Sequence, residues 1–211
     1  MSHAKPRLKL YHAAPSRSSV ARWMLEEIGE PYEIEFLNLK GGDQAKPEFR
    51  AINPMGKVPT LVDNGIVITE VAAICCYLAD TYPKASLAPP IGDPRRGPYL
   101  KWLFFGPSCI EPAMIDKALN RPAAPRTTAG WADYDTVIEV VRQALTGKPY
   151  LLGEQFAAAD VVIGSTLRWG MLFKLIPDLP EFTEYVARLS ARPAMQRQLA
   201  EDQKLAPQQT G

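Results

Sequence analysis

The sequence predicts an α/β domain followed by an all-α domain. Three observations carry that prediction. The first 81 residues alternate short strand-like runs with runs of helical period; residues 83–98 hold five prolines; and every apolar pattern after them has the period of a helix.

The elements follow in order. Leu8-Lys9-Leu10-Tyr11 reads as a strand. Val20, Trp23, Met24, Leu25 and Ile28 then fall on one helical face, with Gly29 as the stop. Tyr32 to Leu37 alternates like a second strand, and Pro47-Glu48-Phe49-Arg50 suits one helical turn. Two further strands flank Asp63-Asn64-Gly65, whose residues accept the positive φ of a two-residue hairpin. A helix from Glu70 to about Thr81 buries Val71, Ile74, Cys75 and Leu78. The order β-α-β, then β-β-α, gives a four-stranded mixed sheet with helices on its faces.

In the second half, one helix is expected from about Pro94 to Leu119, with Pro107 and Pro112 kinking it. Trp131, Tyr134, Ile138, Val141 and Leu145 mark the next. A third, apolar nearly all round from Val161 to Leu172, suits the centre of a bundle. Phe182, Tyr185, Val186 and Leu189 mark a fourth, and Pro193 opens a fifth. The tail, residues 208–211, is expected to fray.

Composition narrows the function classes. Of 211 residues, 46% are apolar and 22% charged, as in soluble globular proteins. A formal charge of +1 carries no nucleic-acid footprint. No run approaches the roughly 18 to 20 apolar residues of a membrane span. The N-terminal residues lack a signal-peptide core and enter the first strand directly. Three cysteines, two of them adjacent, read as reduced thiols of a cytoplasmic protein. Cys75 and Cys76 point about 100° apart on a helix, so they make no redox pair and are expected to be buried and inert. No cysteine–histidine cluster has metal-ligand spacing, so no metal is expected.

Asn53 to Glu70 is the most informative stretch: a Pro-Met-Gly turn, a Val-Pro step into a strand, the hairpin, and an acidic residue where a helix begins. Pro59 cannot donate to a ladder and belongs at a strand's start, which leaves Val58 free to pair with something else. An exposed peptide-like edge beside a helix N-terminus suits a small peptide with a carboxylate.

Asn53-Pro54-Met55-Gly56-Lys57-Val58-Pro59, Ile68-Thr69-Glu70-Val71-Ala72-Ala73-Ile74 and Phe156-Ala157-Ala158-Ala159-Asp160, together with the α/β-then-helical order, resemble the cytosolic glutathione transferases over about residues 8–200. The likeness is to bacterial, theta/zeta-like serine-type members. It implies a thioredoxin-like glutathione-binding domain over residues 1–84, a linker at 85–93, and a helical domain over 94–211 with a hydrophobic substrate site. It also implies a cis proline at Pro59, antiparallel pairing of the glutathione backbone with Val58, and Glu70 as partner of its ammonium. Lys57 and Arg17 are implied contacts for its carboxylates or thiolate. The family usually has Ser where Val71 stands, so one expected donor to the glutamyl carboxylate is missing. Ala157 likewise stands where relatives carry Ser or Thr, so the capping box with Asp160 is half lost.

The thiol activator belongs between the first strand and first helix, within Pro15-Ser16-Arg17-Ser18-Ser19. A free cysteine thiol has a pKa of about 8.5, so a hydroxyl donor and a helix N-terminus are needed to favour the thiolate. By resemblance Ser16 matches the catalytic serine, with Ser18 and Tyr11 as alternatives. Ser18 or Ser19 also suits the helix N-cap. The beta-class catalytic cysteine corresponds to Arg17, so cysteine chemistry is not expected. His12 reads as a loop hydrogen-bonder. Phe104, Phe105, Ser108, Met114 and Trp169, with Trp102, Pro107 and Phe173, are candidates for the hydrophobic site, where the first C-terminal helix faces the N-terminal domain. The implied activity is transfer of the glutathione thiolate to an apolar electrophile, in a homodimer with a detoxifying role. A glutathione-dependent isomerase, peroxidase or dehalogenase, and a non-catalytic binder of glutathione or hydrophobic ligands, remain alternatives.

Overall fold

The computed structural model describes residues 7–122 and 124–205. The expectations for the segment before Arg7 and for the tail at 208–211 lie outside the described residues. By its internal contacts the chain divides into two units: the first runs to Ala85 and resumes at Arg192, and the second is Ser86–Ala191.

In the first unit, β1 (Leu8–His12) is followed by α1 (Ser18–Ile28), β2 (Tyr32–Phe36), α2 (Pro47–Arg50), β3 (Thr60–Asp63), β4 (Ile66–Thr69) and α3 (Val71–Thr81). The sheet order is β2-β1-β3-β4, with β1–β2 parallel and the other two pairs antiparallel. This is the expected mixed sheet. Strand β1 alternates, burying Leu8, Leu10 and His12. Helix α1 buries Val20, Trp23, Met24 and Leu25 and ends at Gly29, whose φ of 73° lets its N–H reach the Leu25 carbonyl. The hairpin turns through Asn64 (φ 47°) and Gly65 (φ 84°), as the Asn-Gly pair demands. Thr60 pairs with Tyr11 on one side and Thr69 on the other. The end of β1, the start of β3 and the end of β4 therefore lie together at one rim of the sheet.

The second unit contains α4 (Arg96–Phe105), α5 (Glu111–Ala118), α6 (Tyr134–Leu145), α7 (Ala158–Leu172) and α8 (Pro180–Ser190). The single helix expected from 94 to 119 is interrupted by a π-turn over Gly106–Ile110. Pro107 lacks the N–H that a regular ladder would use there, and Pro112 opens α5. Trp131 falls outside the helix expected to contain it, because Asp133 caps α6 by accepting from Thr136 N–H at 2.9 Å. Helix α7 is buried on nearly every side. At Gly164 a Cβ would overlap the Leu189 side chain, so glycine is what lets α7 approach α8. Leu87, in the stretch after residue 85, is buried, and its carbonyl accepts from Ala158 N–H at 2.8 Å.

Helix α9 (Pro193–Leu205) packs against α1 and so belongs with the first unit, although the sequence reading counts it with the helical domain. Arg192 and Arg197 pair with Glu27 and Glu26 of α1 at 2.6 and 2.8 Å. Its buried face carries Ala194 and Met195, but also Gln198 and Asp202.

Candidate active site

Three segments meet at the rim. The first is the approach to β3, where the Val58–Pro59 bond is cis. Buried Asn53 braces this loop: its Nδ2 donates to the Lys57 carbonyl at 2.8 Å and to Thr60 Oγ1 at 2.9 Å. Gly56 has φ 60°, and a Cβ there would lie 2.7 Å from the Gln44 carbonyl oxygen, so only glycine passes. Among the described residues no backbone hydrogen bond involves Val58, which leaves its N–H and C=O open for pairing. Lys57 is exposed next to it.

The second segment joins β4 to α3. Glu70 is exposed and holds φ 67°, ψ 123°, a left-handed conformation rare for a side chain with a Cβ. Its carbonyl starts the helix by accepting from Ile74 N–H at 2.9 Å. No side chain caps α3, so the first N–H groups, from Val71 on, face outward with the positive end of the helix dipole. Val71 itself is half-buried and offers no side-chain donor.

The third segment is the loop from β1 to α1. Neither Ser18 nor Ser19 is the N-cap: α1 begins at Ser18, after an Arg17 that makes no side-chain cap bond. Instead the half-exposed Ser16 accepts from Ser18 N–H at 3.1 Å. The Ser16 hydroxyl lies 2.6 Å from the Ala13 carbonyl and 2.6 Å from Ser18 Oγ. Ser18 is fully buried; its Oγ accepts from Ala13 N–H at 3.0 Å and sits 2.8 Å from His12 Nδ1. His12 is a buried strand residue rather than a loop one, and its Nε2 is 3.1 Å from Asp202 Oδ1. Asp202 also accepts from Ser19 Oγ, from Arg22 Nη1 at 2.9 Å and from Gln198 Nε2 at 2.7 Å. Burial opposes its ionisation, but the bonds and charge of His12, Ser19 and Arg22 outweigh that and hold its carboxyl below the usual carboxylate range.

Tyr11 is half-buried, its ring 5.4 Å from that of Phe49 and 5.3 Å from Lys9 Nζ, an arrangement of packing. Arg17 is exposed. Asp202 is absent from the sequence reading, and the role of His12 there is different. The signal was present in both cases. His12 shares the period-two face of Leu8 and Leu10, and Gln198 and Asp202 stand four apart on the face of Ala194 and Met195.

In the second unit the candidate hydrophobic residues form three separate contacts. Phe104 is exposed, its carbonyl accepting from Ser108 Oγ at 2.5 Å; Phe105 packs edge-on to Trp102 at 5.2 Å; and Trp169 stacks on exposed Phe173 at 5.4 Å. Met114 is half-buried. Of the cysteines, Cys75 is fully buried, which pushes its thiol well up, whereas Cys76 and Cys109 are only half-buried, contrary to expectation for Cys76. Among the described residues no group of three or more His, Cys, Asp or Glu could hold a metal, and no helix is long and apolar enough to cross a membrane.

Comparison with known proteins gives the family and the fold. Residues 6–80 match the family model described as Glutathione S-transferase, N-terminal domain. The chain is similar to glutathione S-transferase GstA of Escherichia coli O157:H7, with 27% identity over 202 residues, 92% of this chain and 98% of that one. It is 31% identical over 166 residues to glutathione S-transferase hmp2 of Hypomyces subiculosus, 73% of this chain and 78% of that one. Among solved structures, a sphingomonad glutathione S-transferase complexed with glutathione superimposes with a TM-score of 0.76 at 27% identity, over 92% of this chain and 98% of the other.

Proposed function

Because the chain belongs to the glutathione S-transferase family, we propose that it is a serine-type transferase that holds glutathione at the sheet rim and directs its thiolate onto an apolar electrophile. The tripeptide's cysteinyl backbone pairs with Val58. Its glutamyl carboxylate lies at the open N-terminus of α3, its ammonium meets Glu70, and Lys57 faces the glycyl carboxylate. Ser16 donates its hydroxyl to the sulfur, and Arg17 adds positive charge nearby. The thiolate then forms the new carbon–sulfur bond as the electrophile's leaving group, or its π-electron pair, departs. Phe104, Phe105, Ser108, Met114 and Trp169 are the candidates for receiving the electrophile. Homodimeric assembly and a cytoplasmic, detoxifying role complete the reading.

The observation that carries the assignment of Ser16 is the contrast with its neighbours. Ser16 is half-exposed at the start of α1, whereas Ser18 is fully buried and bonded inward, and Tyr11 packs on Phe49. A hydrogen bond to a charged group is worth about 1.5–3 kcal/mol, so Ser16→Ala is expected to lower kcat/KM for a standard electrophile about tenfold to a hundredfold. Full turnover in that variant would transfer the role to another group. One observation favours a second reading, a glutathione holder without turnover: the donor missing at Val71. Calorimetric binding without conjugation of any electrophile would establish it.

A further inference from the structure

We propose that Ser18 and His12 form a buried proton relay behind Ser16, through which His12 takes up the thiol proton of bound glutathione. The inference rests on Ser16 being the group that meets the sulfur.

The hydrogen-bond inventory sets the direction of the chain. Asp202 is held ionised, and the Arg22 guanidinium, the Gln198 amide and the Ser19 hydroxyl are all donors to it. His12 Nε2, 3.1 Å from the same carboxylate, must therefore carry a hydrogen. In the neutral ring Nδ1 is then an acceptor, and it lies 2.8 Å from Ser18 Oγ. Ser18 Oγ already accepts from Ala13 N–H, so it has one lone pair left for Ser16, 2.6 Å away. The relay runs inward: thiol S–H to Ser16 Oγ, Ser16 O–H to Ser18 Oγ, Ser18 O–H to His12 Nδ1. The Ala13 carbonyl, 2.6 Å from Ser16 Oγ and 3.0 Å from Ser18 Oγ, is the competing acceptor for both hydrogens, and the relay forms when they turn from it onto Ser18 Oγ and His12 Nδ1.

Transfer shifts each hydrogen by one place. The sulfur keeps its electron pair and gives its proton to Ser16; Ser16 passes its own to Ser18, and Ser18 passes its own to Nδ1. The products are a thiolate that accepts from the Ser16 hydroxyl and an imidazolium that donates to Ser18 and Asp202. No atom enters or leaves. The charged groups nearest His12 are the Asp202 carboxylate of α9, its direct partner, and the Arg22 guanidinium of α1, which shares that carboxylate; Glu201 lies 3.9 Å from Arg22. From the sheet side, Leu37, just after β2, donates its N–H to the His12 carbonyl.

The test counts protons. Glutathione is mixed with the full-length protein in weak buffer containing a pH indicator. The thiolate formed is followed by its ultraviolet absorbance across pH, and S-methylglutathione, which has no thiol proton, supplies the correction. In the unaltered protein most of the thiolate is expected to form without a proton appearing in solution near neutral pH. In Ser18→Ala and His12→Gln each thiolate should release one proton, and the pKa of the bound thiol should rise by about half to one unit. If His12→Gln fails to fold, Ser18→Ala, which leaves the His12–Asp202 contact intact, decides alone. One proton released per thiolate by the unaltered protein, with Ser16→Ala still losing thiolate, would overturn the relay and leave Ser16 in place. Unchanged thiolate in Ser16→Ala would overturn both.

Discussion

At the scale of single residues, the proposed glutathione cradle turns on Glu70 and Val71. A side chain with a Cβ held at φ 67° costs on the order of 1–3 kcal/mol, and the strain sits at the residue proposed to meet the ammonium. Glu70→Gly removes the strain, offset by about 0.5–1 kcal/mol of extra chain entropy in the unfolded state. The variant is expected to be as stable as the parent or more so in chemical denaturation, while its glutathione affinity by calorimetry falls tenfold or more. Lower stability together with unchanged affinity would show Glu70 to be a structural turn residue. Val71→Ser restores a donor at the first position of α3. Its expected effect is a KM for glutathione lower by about tenfold, the worth of one hydrogen bond to a carboxylate. An unchanged or higher KM would place the carboxylate elsewhere.

Capping decides how much each helix holds. The N-terminus of α7 is organised by buried Asp160, which accepts from Ala157 N–H at 2.8 Å, Leu151 N–H at 2.9 Å and the Tyr185 hydroxyl at 2.7 Å. The reciprocal half of the box is absent, because Ala157 has no side-chain acceptor. Ala157→Ser should add about 0.5–2 kcal/mol to stability, read as a higher denaturant midpoint at unchanged slope. A lower midpoint would mean that the buried site has no room for the hydroxyl. Elements like this one were legible in the sequence because their signals are local: Gly29 as a stop, Asn64-Gly65 as a turn, Asp160 three residues into α7. The π-turn at 106–110 was legible only as two prolines in one helical run. Proline shows that a ladder is broken, not how the chain re-forms it. Ser18 suits a cap because capping is the local option for a serine there, and the buried His12 that draws it inward is a partner on the neighbouring strand.

For the molecule as a whole, acid is expected to act most through the buried carboxyls of the first unit, because lowered carboxyls of the second, such as Asp93 and Glu139, pair with surface arginines, where solvent screens the charge. Asp63 is buried beside the Arg7 guanidinium, with the hydroxyls of Tyr77 and Tyr82 at 3.0 and 3.4 Å. Burial opposes its charge, yet these partners hold its carboxyl below the ordinary range, as happens at Asp202. A carboxyl lowered in the folded state adds stability that is complete above its unfolded value of about 3.9 and vanishes as pH falls through the folded value. Denaturant midpoints should thus hold steady down to about pH 5 and drop steeply below it, with a shallower drop in Asp202→Asn. An equally steep limb in that variant would assign the acid sensitivity to other carboxylates. The sheet rim with Val58 and Glu70 could be read from one stretch of chain. The Asp202 end of the site could not, because it joins residues 190 positions apart and no local pattern encodes a pairing at that distance.

That distance bears on how the chain comes into being. In sequence the second unit is an insertion within the first, and α9 is the last described helix to leave a ribosome. Until it emerges, His12 and Arg22 have no Asp202 to meet, and the groove along α1 lacks its cover. The second unit carries all its own helices and can complete itself while the first still waits for its final piece. Once folded, it holds the stretch between Ala85 and Arg192 compact, which shortens the search by which α9 finds α1. A premature stop between Ala191 and α9 would therefore spare the second unit and leave the first unfinished.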